Sequence, residues 1–584
     1  MKKIIIILLS VLMLTSFVGC KNNESDDTDV SAEFDQLMRD WFIEDMSSDY
    51  LTAHFGVVDT AEYGLEDIEV TLGHVEEDEE VTVYKERLEK LNSIDSSKLN
   101  DEQQVSYDTL IDYYTLQQEL EDFEYDYGFL FTPNSGVNNN LITNFTEFEI
   151  RSEQDAKDFV TLVNDSGRYI DECITYTKEQ AEDGIIQNDD VISSIVEQCQ
   201  RFIANVEDNE VIKAFGTSID KLGLDNADDY KQQVSDAVID VLIPAYERVI
   251  DMYQDLVGTA TNQDGLSYYE HGKEYYAELF KYKSSSSKGV EKLEKELETE
   301  ISTTVSRIVR LSYKMTDEEL ALMDSEDYGY DDPYEMIEHL KTSMSEDFPE
   351  IPEVEYTISY LDPSVTSDNI VAYYLIAPAD RLTQNIIKCN QSYCKNDPSY
   401  LCITLSHEGY PGHLYQHTYY YSNHGSQLAR YSTDFSGFTE GWAMYVEEYG
   451  YNYFGSSDNV NQMNIYYNRL GYYLEAYCDI LVNYEGYQKD DLANYLSNIY
   501  VESYATVMAE SMYSTLIGDP GMFIPYALGY YQMIDLYDDT KSLLGDKFDV
   551  KEFNTVILDC GATSFDVLEK YVDKYIDSKN SSEQ

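Results

Sequence analysis

The sequence predicts a mainly α fold, a large helical body with a small β-sheet next to a histidine-bearing helix. Three observations carry that expectation. Long stretches repeat apolar residues at three- and four-residue intervals, the helical period. One short region, Val354 to Pro378, changes to an alternating period. No Pro/Gly/Ser-rich linker separates the two halves, so the N-terminal helices are expected to pack onto the C-terminal half within one domain spanning 31–580, with halves meeting near residue 350.

Ser31 to Tyr127 contains no proline and reads as helical, with Glu79–Leu91 and Asp101–Leu120 its clearest segments. Phe129 to Asn144 reads as a loop, because Thr132-Pro133-Asn134-Ser135-Gly136 is turn chemistry followed by an Asn run. Helical periodicity returns over Ser152–Cys199 and Asp229–Leu256, and Gly265–Gly272 reads as a further loop. Ser284–Ser287 is expected to cap a helix over Lys288–Leu311. Val354-Glu355-Tyr356-Thr357-Ile358 alternates, and Ile370 to Ile376 is a short β-prone run closed by Ala377-Pro378. Such a strand beside a reactive site can hold an extended peptide through its backbone, and it can equally be a plain structural hairpin. From Tyr400 to Lys579 the chain is again helical, with turns at Asp519-Pro520-Gly521 and Asp559-Cys560-Gly561.

The first twenty residues read as a signal peptide: Met-Lys-Lys, an apolar run from Ile4 to Val18, then Gly19-Cys20. Cys20 resembles the lipidated cysteine of a bacterial lipobox, with Phe17 three positions before it, and residues 21–30 read as a polar tether. The expected location is the extracytoplasmic face of the cell membrane, held by the lipid anchor alone. No later apolar run is long enough to span a bilayer.

The balance of 39 basic against 112 acidic residues gives a net charge of −73. That excludes nucleic acid and anionic membrane surfaces as partners and suits neutral or cationic substrates. The 55 tyrosines read as amphipathic surface and cleft lining. Of eight cysteines, those after Cys20 are scattered without C-x-x-C spacing, so neither a disulfide framework nor a cysteine metal site is expected. Cys389 and Cys394 are close enough in sequence to pair locally.

The chemistry concentrates in His407-Glu408-Gly409-Tyr410-Pro411-Gly412-His413, followed downstream by Glu440-Gly441-Trp442. In H-E-x-x-H sites the two histidines sit at i and i+4 on one helix face. Here they sit at i and i+6, about 120° apart around a regular helix, so a straight helix cannot bring both rings to one metal. Pro411 cannot donate to the carbonyl of His407 and crowds it, and Gly412 adds backbone freedom. The helix is therefore expected to break between the histidines. The pair His413 and His417, at ordinary i, i+4 spacing, stays open, with His424 in reserve.

These motifs resemble the bacterial domain of unknown function 885 family, a group of zincin-like metallopeptidase candidates. The strongest match is His407 to His413 with Gln416, then Glu440-Gly441-Trp442-Ala443-Met444-Tyr445-Val446-Glu447. Weaker matches at Pro244-Ala245-Tyr246, Gly272 with Tyr275-Tyr276, Ala372-Tyr373-Tyr374, Ala527-Leu528-Gly529-Tyr530 and Leu568-Glu569 extend it over most of the mature chain. Two positions depart from the pattern: Leu414 stands where many members have a second histidine, and Asp479, Asn483 and Gly486-Tyr487 stand where many have an Asp, a His and a Gly-Trp pair. The resemblance implies a zincin-like body with a bound Zn²⁺, held by His407, His413 and Glu440 in a His₂Glu set that leaves one position open. Glu408 would be the general base. Glu447 and, less directly, Asp479 would support the ligands through hydrogen bonds, and Tyr530 would stabilise an oxyanion. The implied substrate is a peptide. A His₂Glu centre also suits a non-peptidase amidase or other hydrolase, and the rival from another class is an exported, non-catalytic binding lipoprotein.

Overall fold

Helices carry the chain from Val30 to Ser581, interrupted by one three-stranded sheet. The computed structural model describes residues 30–75, 80–204, 206–323, 327–351, 353–361 and 370–581. The signal segment, Cys20 and all of the tether but Val30 lie outside the described residues.

The N-terminal and C-terminal halves share one apolar core. A single connected cluster runs from Phe34 to Val572. Polar contacts reinforce it: the helix Asp101–Tyr127 meets the last turn and helix of the chain through Thr109 and Thr563, 2.8 Å apart, and through Tyr571, which donates to Asp108 at 2.9 Å.

Six helices position the site and are labelled here: α1 Gly272–Ser284, α2 Pro398–Glu408, α3 His413–Asn423, α4 Ser436–Phe454, α5 Asp458–Asn483 and α6 Ile524–Leu544. The strands are β1 Glu355–Tyr360, β2 Ala372–Leu375 and β3 Gln384–Cys389, in the order β1-β3-β2. β1 runs parallel to β3 and β2 antiparallel to it. The two expected strands exist but do not form a hairpin. A third strand, β3, lies between them; its polar Gln384, Asn385 and Lys388 hid it from the apolar pattern.

Two local expectations fail for identifiable reasons. Val137–Glu147, read as part of a loop, is a helix. Its Asn138 is buried and donates to the Thr132 carbonyl and to Gln198, so tertiary partners override a weak helical propensity. Ser284–Ser286 do not cap the next helix. They are fully buried at the end of α1, with Ser285 left-handed at φ 53°, and the following helix, Val290–Ser312, starts after Gly289. The described cysteines, Cys389 and Cys394 among them, are all free thiols.

Glycine sets the closest helix crossing. A Cβ placed on Gly529 of α6 would collide with the Gly437 carbonyl oxygen of α4, and one on Gly441 would collide with the backbone of Gly529. α4 and α6 therefore touch backbone to backbone, which brings Glu440 and the first turns of α6 to one place. Gly529→Ala is expected to cost roughly 1–3 kcal/mol by overpacking. Gly216→Ala, at a half-buried position of the helix Glu210–Asp220 where the added Cβ meets nothing within 4 Å, should be neutral or stabilise by roughly 0.5–1 kcal/mol. Urea unfolding of both variants checks the contrast.

Candidate metal centre

The helix breaks where the motif requires it. α2 ends at Glu408, where the Gly409 N–H donates to the Leu405 carbonyl at 3.0 Å, and α3 begins at His413. Between them the Tyr410–Pro411 peptide is cis, and Gly412 passes so close to His407 that any Cβ there would strike the His407 carbonyl. The Trp442 indole N–H of α4 donates to the Pro411 carbonyl at 2.9 Å and pins the break in place. The outcome is that the imidazoles of His407 and His413 stand 4.7 Å apart, centroid to centroid, at 88°.

Glu440 completes the cluster. Its Oε2 lies 3.3 Å from His407 Nε2 and 3.5 Å from His413 Nε2. His407 Nδ1 sits 2.9 Å from Glu447 Oε1, and the other Glu447 oxygen accepts from Asn468 at 2.8 Å. With Nδ1–H directed at Glu447, Nε2 is the nitrogen that faces Glu440, and a cation there would displace the proton that the surrounding carboxylates otherwise draw onto the ring. Glu440 Oε2 is buried and has no hydrogen-bond partner among the described residues. Such an orphaned oxygen is costly, and a cation between it and the two Nε2 atoms would satisfy all three. Ligand bonds of roughly 2.0–2.1 Å place tetrahedral zinc ligands roughly 3.3–3.4 Å apart, close to the two separations observed.

Donor atoms of His407, Glu408 and His413 also fall within 4.8 Å of one another. Glu408 nevertheless fits a shared coordination sphere less well than Glu440. Its Oε1 is 3.8 Å from His407 Nε2, while its Oε2 accepts the Tyr374 N–H of β2 at 2.9 Å. β2 thus lies beside the site as expected, but Tyr374 N–H, its polar group at the site, orients Glu408 and is not free to hold a peptide.

The electrostatics of the cluster favour a positive charge. Burial opposes protonation of His407, yet Glu408, Glu440 and Glu447 outweigh it and push its pKa well above the ordinary value. Burial works against an ionised Glu440 too, but His413 and His407 hold its carboxyl well below the usual range. Glu408 is shifted upward, mainly by burial, against the pull of both histidines.

The remaining expected residues lie elsewhere. His417 Nε2–H donates to the Ala377 carbonyl at 3.2 Å, and burial lowers its pKa to about 4. It turns away from the cluster, which leaves His413 with His407 as the converging pair. His424 ends α3 and faces Glu102 and Asp559. Tyr530 is fully buried, and its hydroxyl donates to Glu448 beside Arg469, so it does not present its O–H to the cluster. Asp479 accepts from Tyr276 of α1 at 2.8 Å, from Asn483 at 3.0 Å and from the Gly521 N–H at 2.9 Å. It ties α1 and α5 to the turn before α6 and supports no histidine.

Tyr526, rather than Tyr530, has its phenol beside the cluster. It lies one turn earlier on the same face of α6, and its phenol feels Glu440 first, then burial and Glu408, all of which keep the O–H protonated. Position within the helix, not residue type, separates the two tyrosines, so composition could not choose between them.

Comparison with known proteins agrees with this architecture. The profile described as "Bacterial protein of unknown function (DUF885)" matches residues 60–572, and the chain belongs to that family. No curated protein matches the sequence. Among solved structures, a candidate lipoprotein from Colwellia psychrerythraea superposes with a TM-score of 0.77 at 18% identity, covering 93% of this chain and 99% of that one. A candidate lipoprotein of unknown function from Shewanella oneidensis gives 0.57 at 14% identity, covering 92% and 98%. At these identities the likeness concerns the fold.

Asp479 yields a pH prediction. Burial raises its pKa from 3.8 to about 7, so between those values the native state keeps a proton that the unfolded state releases. Its contribution to stability is whole below about pH 4 and is lost as pH rises through 7. The stability of Asp479→Asn relative to wild type should therefore rise across that window, by at most roughly 1.4 kcal/mol per pH unit. Urea titrations at pH 4.5, 6 and 7.5 check it, and a pH-independent difference would contradict it.

Proposed function

We propose that the chain, a member of that family, is an exported, lipid-anchored, zinc-dependent hydrolase, and more specifically a peptidase. The observation that carries the reading is the orphaned Glu440 oxygen facing two imidazole nitrogens, with a second buried carboxylate, Glu408, beside it. His407, His413 and Glu440 would hold the ion, and the chemistry it supplies when bound is Lewis acidity toward water and a carbonyl oxygen.

The chain's own groups provide the rest. Glu408, fixed by the Tyr374 N–H, accepts the proton of an attacking water, and burial keeps it from being too weak a base. Glu447, fixed by Asn468, holds His407 in one tautomer and orientation. Tyr526 offers a protonated hydroxyl to the negative charge that develops on the carbonyl oxygen. Export and lipid anchoring draw support from the Gly19-Cys20 segment and from the description of both structural neighbours as candidate lipoproteins. Among the described residues no helix is long and apolar enough to cross a membrane.

Elemental analysis and hydrolysis of a mixed peptide library test the reading together. Wild type should carry one zinc per chain and cleave peptides, whereas Glu408→Gln should keep zinc and lose roughly 10²–10⁴-fold in rate. His407→Ala, His413→Ala and Glu440→Ala should each lose zinc. Zinc retained by wild type with no cleavage of any peptide would sink the peptidase reading. For the tyrosine, Tyr526→Phe should keep zinc and lower kcat by roughly 10²-fold, while Tyr530→Phe should lower stability with a much smaller effect on kcat; the reverse order would return the role to Tyr530.

A further inference from the structure

One carboxylate near the centre has no part in the chemistry above. Glu475 lies on α5 three residues after Tyr472 and seven after Asn468, so the three share one helix face. Asn468 anchors Glu447 at one end of that face. Tyr472 stacks on Tyr526, ring centroids 6.3 Å apart at 20°. Glu475 follows about one turn further along, roughly 10 Å of helix from Asn468.

Glu475 is half-buried, and no hydrogen bond or ion pair reaches its carboxylate among the described residues. Its charge acts on the phenols of Tyr400, Tyr472 and Tyr500 and, toward the core, on the Cys478 thiol. Tyr400 and Tyr472 also feel Glu447, so the carboxylate behind His407 and Glu475 act on the same two rings. The surroundings open to solvent. Tyr400 is 47% exposed, and Tyr504, its ring 5.3 Å from that of Tyr500, is 53% exposed. Burial with no compensating partner pushes the Glu475 carboxyl up to about 7, the mark of a group whose environment lacks a counter-charge.

A carboxylate with one phenol a turn before it on the same helix face and two more within reach of its charge suits an ammonium or guanidinium. The charge supplies Coulomb attraction, and the ring faces add cation–π attraction while displacing water. We propose that Glu475, with Tyr400, Tyr472 and Tyr500, forms a subsite for the basic side chain of a peptide substrate, next to the metal-binding cluster. The proposal rests on the peptidase reading for its substrate class, and it explains why this surface leaves aromatic rings uncovered. It also gives the strongly acidic chain a local reason to select cations, where net charge alone gives only long-range attraction.

The test uses full-length protein and a positional set of acetylated, amidated alanine hexapeptides, each carrying one lysine or, in the matched control, one norleucine. Binding is measured by calorimetry at pH 8, where the Glu475 carboxyl is ionised, and cleavage is followed in parallel by mass spectrometry. At one position wild type should prefer lysine over norleucine by roughly tenfold. Glu475→Gln should reduce that ratio to near one, and Glu475→Lys should move the preference to a glutamate-bearing peptide at the same position. Unchanged melting temperature and zinc content guard against misfolding. Lysine-selective binding that depends on Glu475 without cleavage would uphold the subsite and overturn the peptidase reading. Cleavage with no lysine preference, a preference that survives Glu475→Gln, or no binding of any peptide would overturn the subsite.

Discussion

The centre depends on the break between Glu408 and His413. Two histidines six residues apart point about 120° away from each other on an unbroken helix, and only a local departure from helical geometry can make them converge. Three features produce it together: a proline that cannot donate, a glycine that fits against the His407 carbonyl, and the Trp442 indole that clasps the Pro411 carbonyl. Because Trp442 sits two residues after Glu440, the contact that fixes the break also sets the position of the carboxylate. The loop and the helix bearing Glu440 are therefore one device.

Charge then accounts for what surrounds the imidazoles. Three carboxylates, Glu408 and Glu447 buried and Glu440 partly so, face two histidines, so with all three ionised the cluster is anionic even when both rings are protonated. Burying such an imbalance is expensive; the two imidazoles relieve it at Glu440 and leave more of it at Glu408, whose carboxyl burial shifts upward. The carboxylates divide by partner. Glu447 is engaged by His407 and Asn468, and Glu408 by the Tyr374 N–H, while Glu440 faces the two imidazole nitrogens with the Tyr526 phenol beside it. The backbone contact of Gly437 and Gly441 with Gly529 brings α6 in close enough for Tyr526 to join them.

Much of this arrangement was legible in the sequence because its causes are local. The i, i+6 spacing, Pro411 and Gly412 dictate a break by sterics alone, and periodicity gave the helical body and two of the strands. What stayed hidden depends on contacts distant in sequence. Whether Tyr526 or Tyr530 faces the cluster is set by how far α6 slides along α4. Asp479 occupies a position that resembles a supporting role, yet its three donors come from α1, its own helix and the turn before α6. β3 was invisible because half of its residues are polar, and Asn138 became helical only through partners in other segments.

The most direct measurement is anomalous X-ray diffraction at the zinc absorption edge on crystals grown with zinc. The account predicts one strong peak within roughly 2.0–2.2 Å of His407 Nε2, His413 Nε2 and a Glu440 oxygen, with Glu447 still bonded to His407 Nδ1 and Glu408 outside the ligand set. A peak at His417 or away from the motif, or a cluster that takes up no metal at saturating zinc, would contradict it.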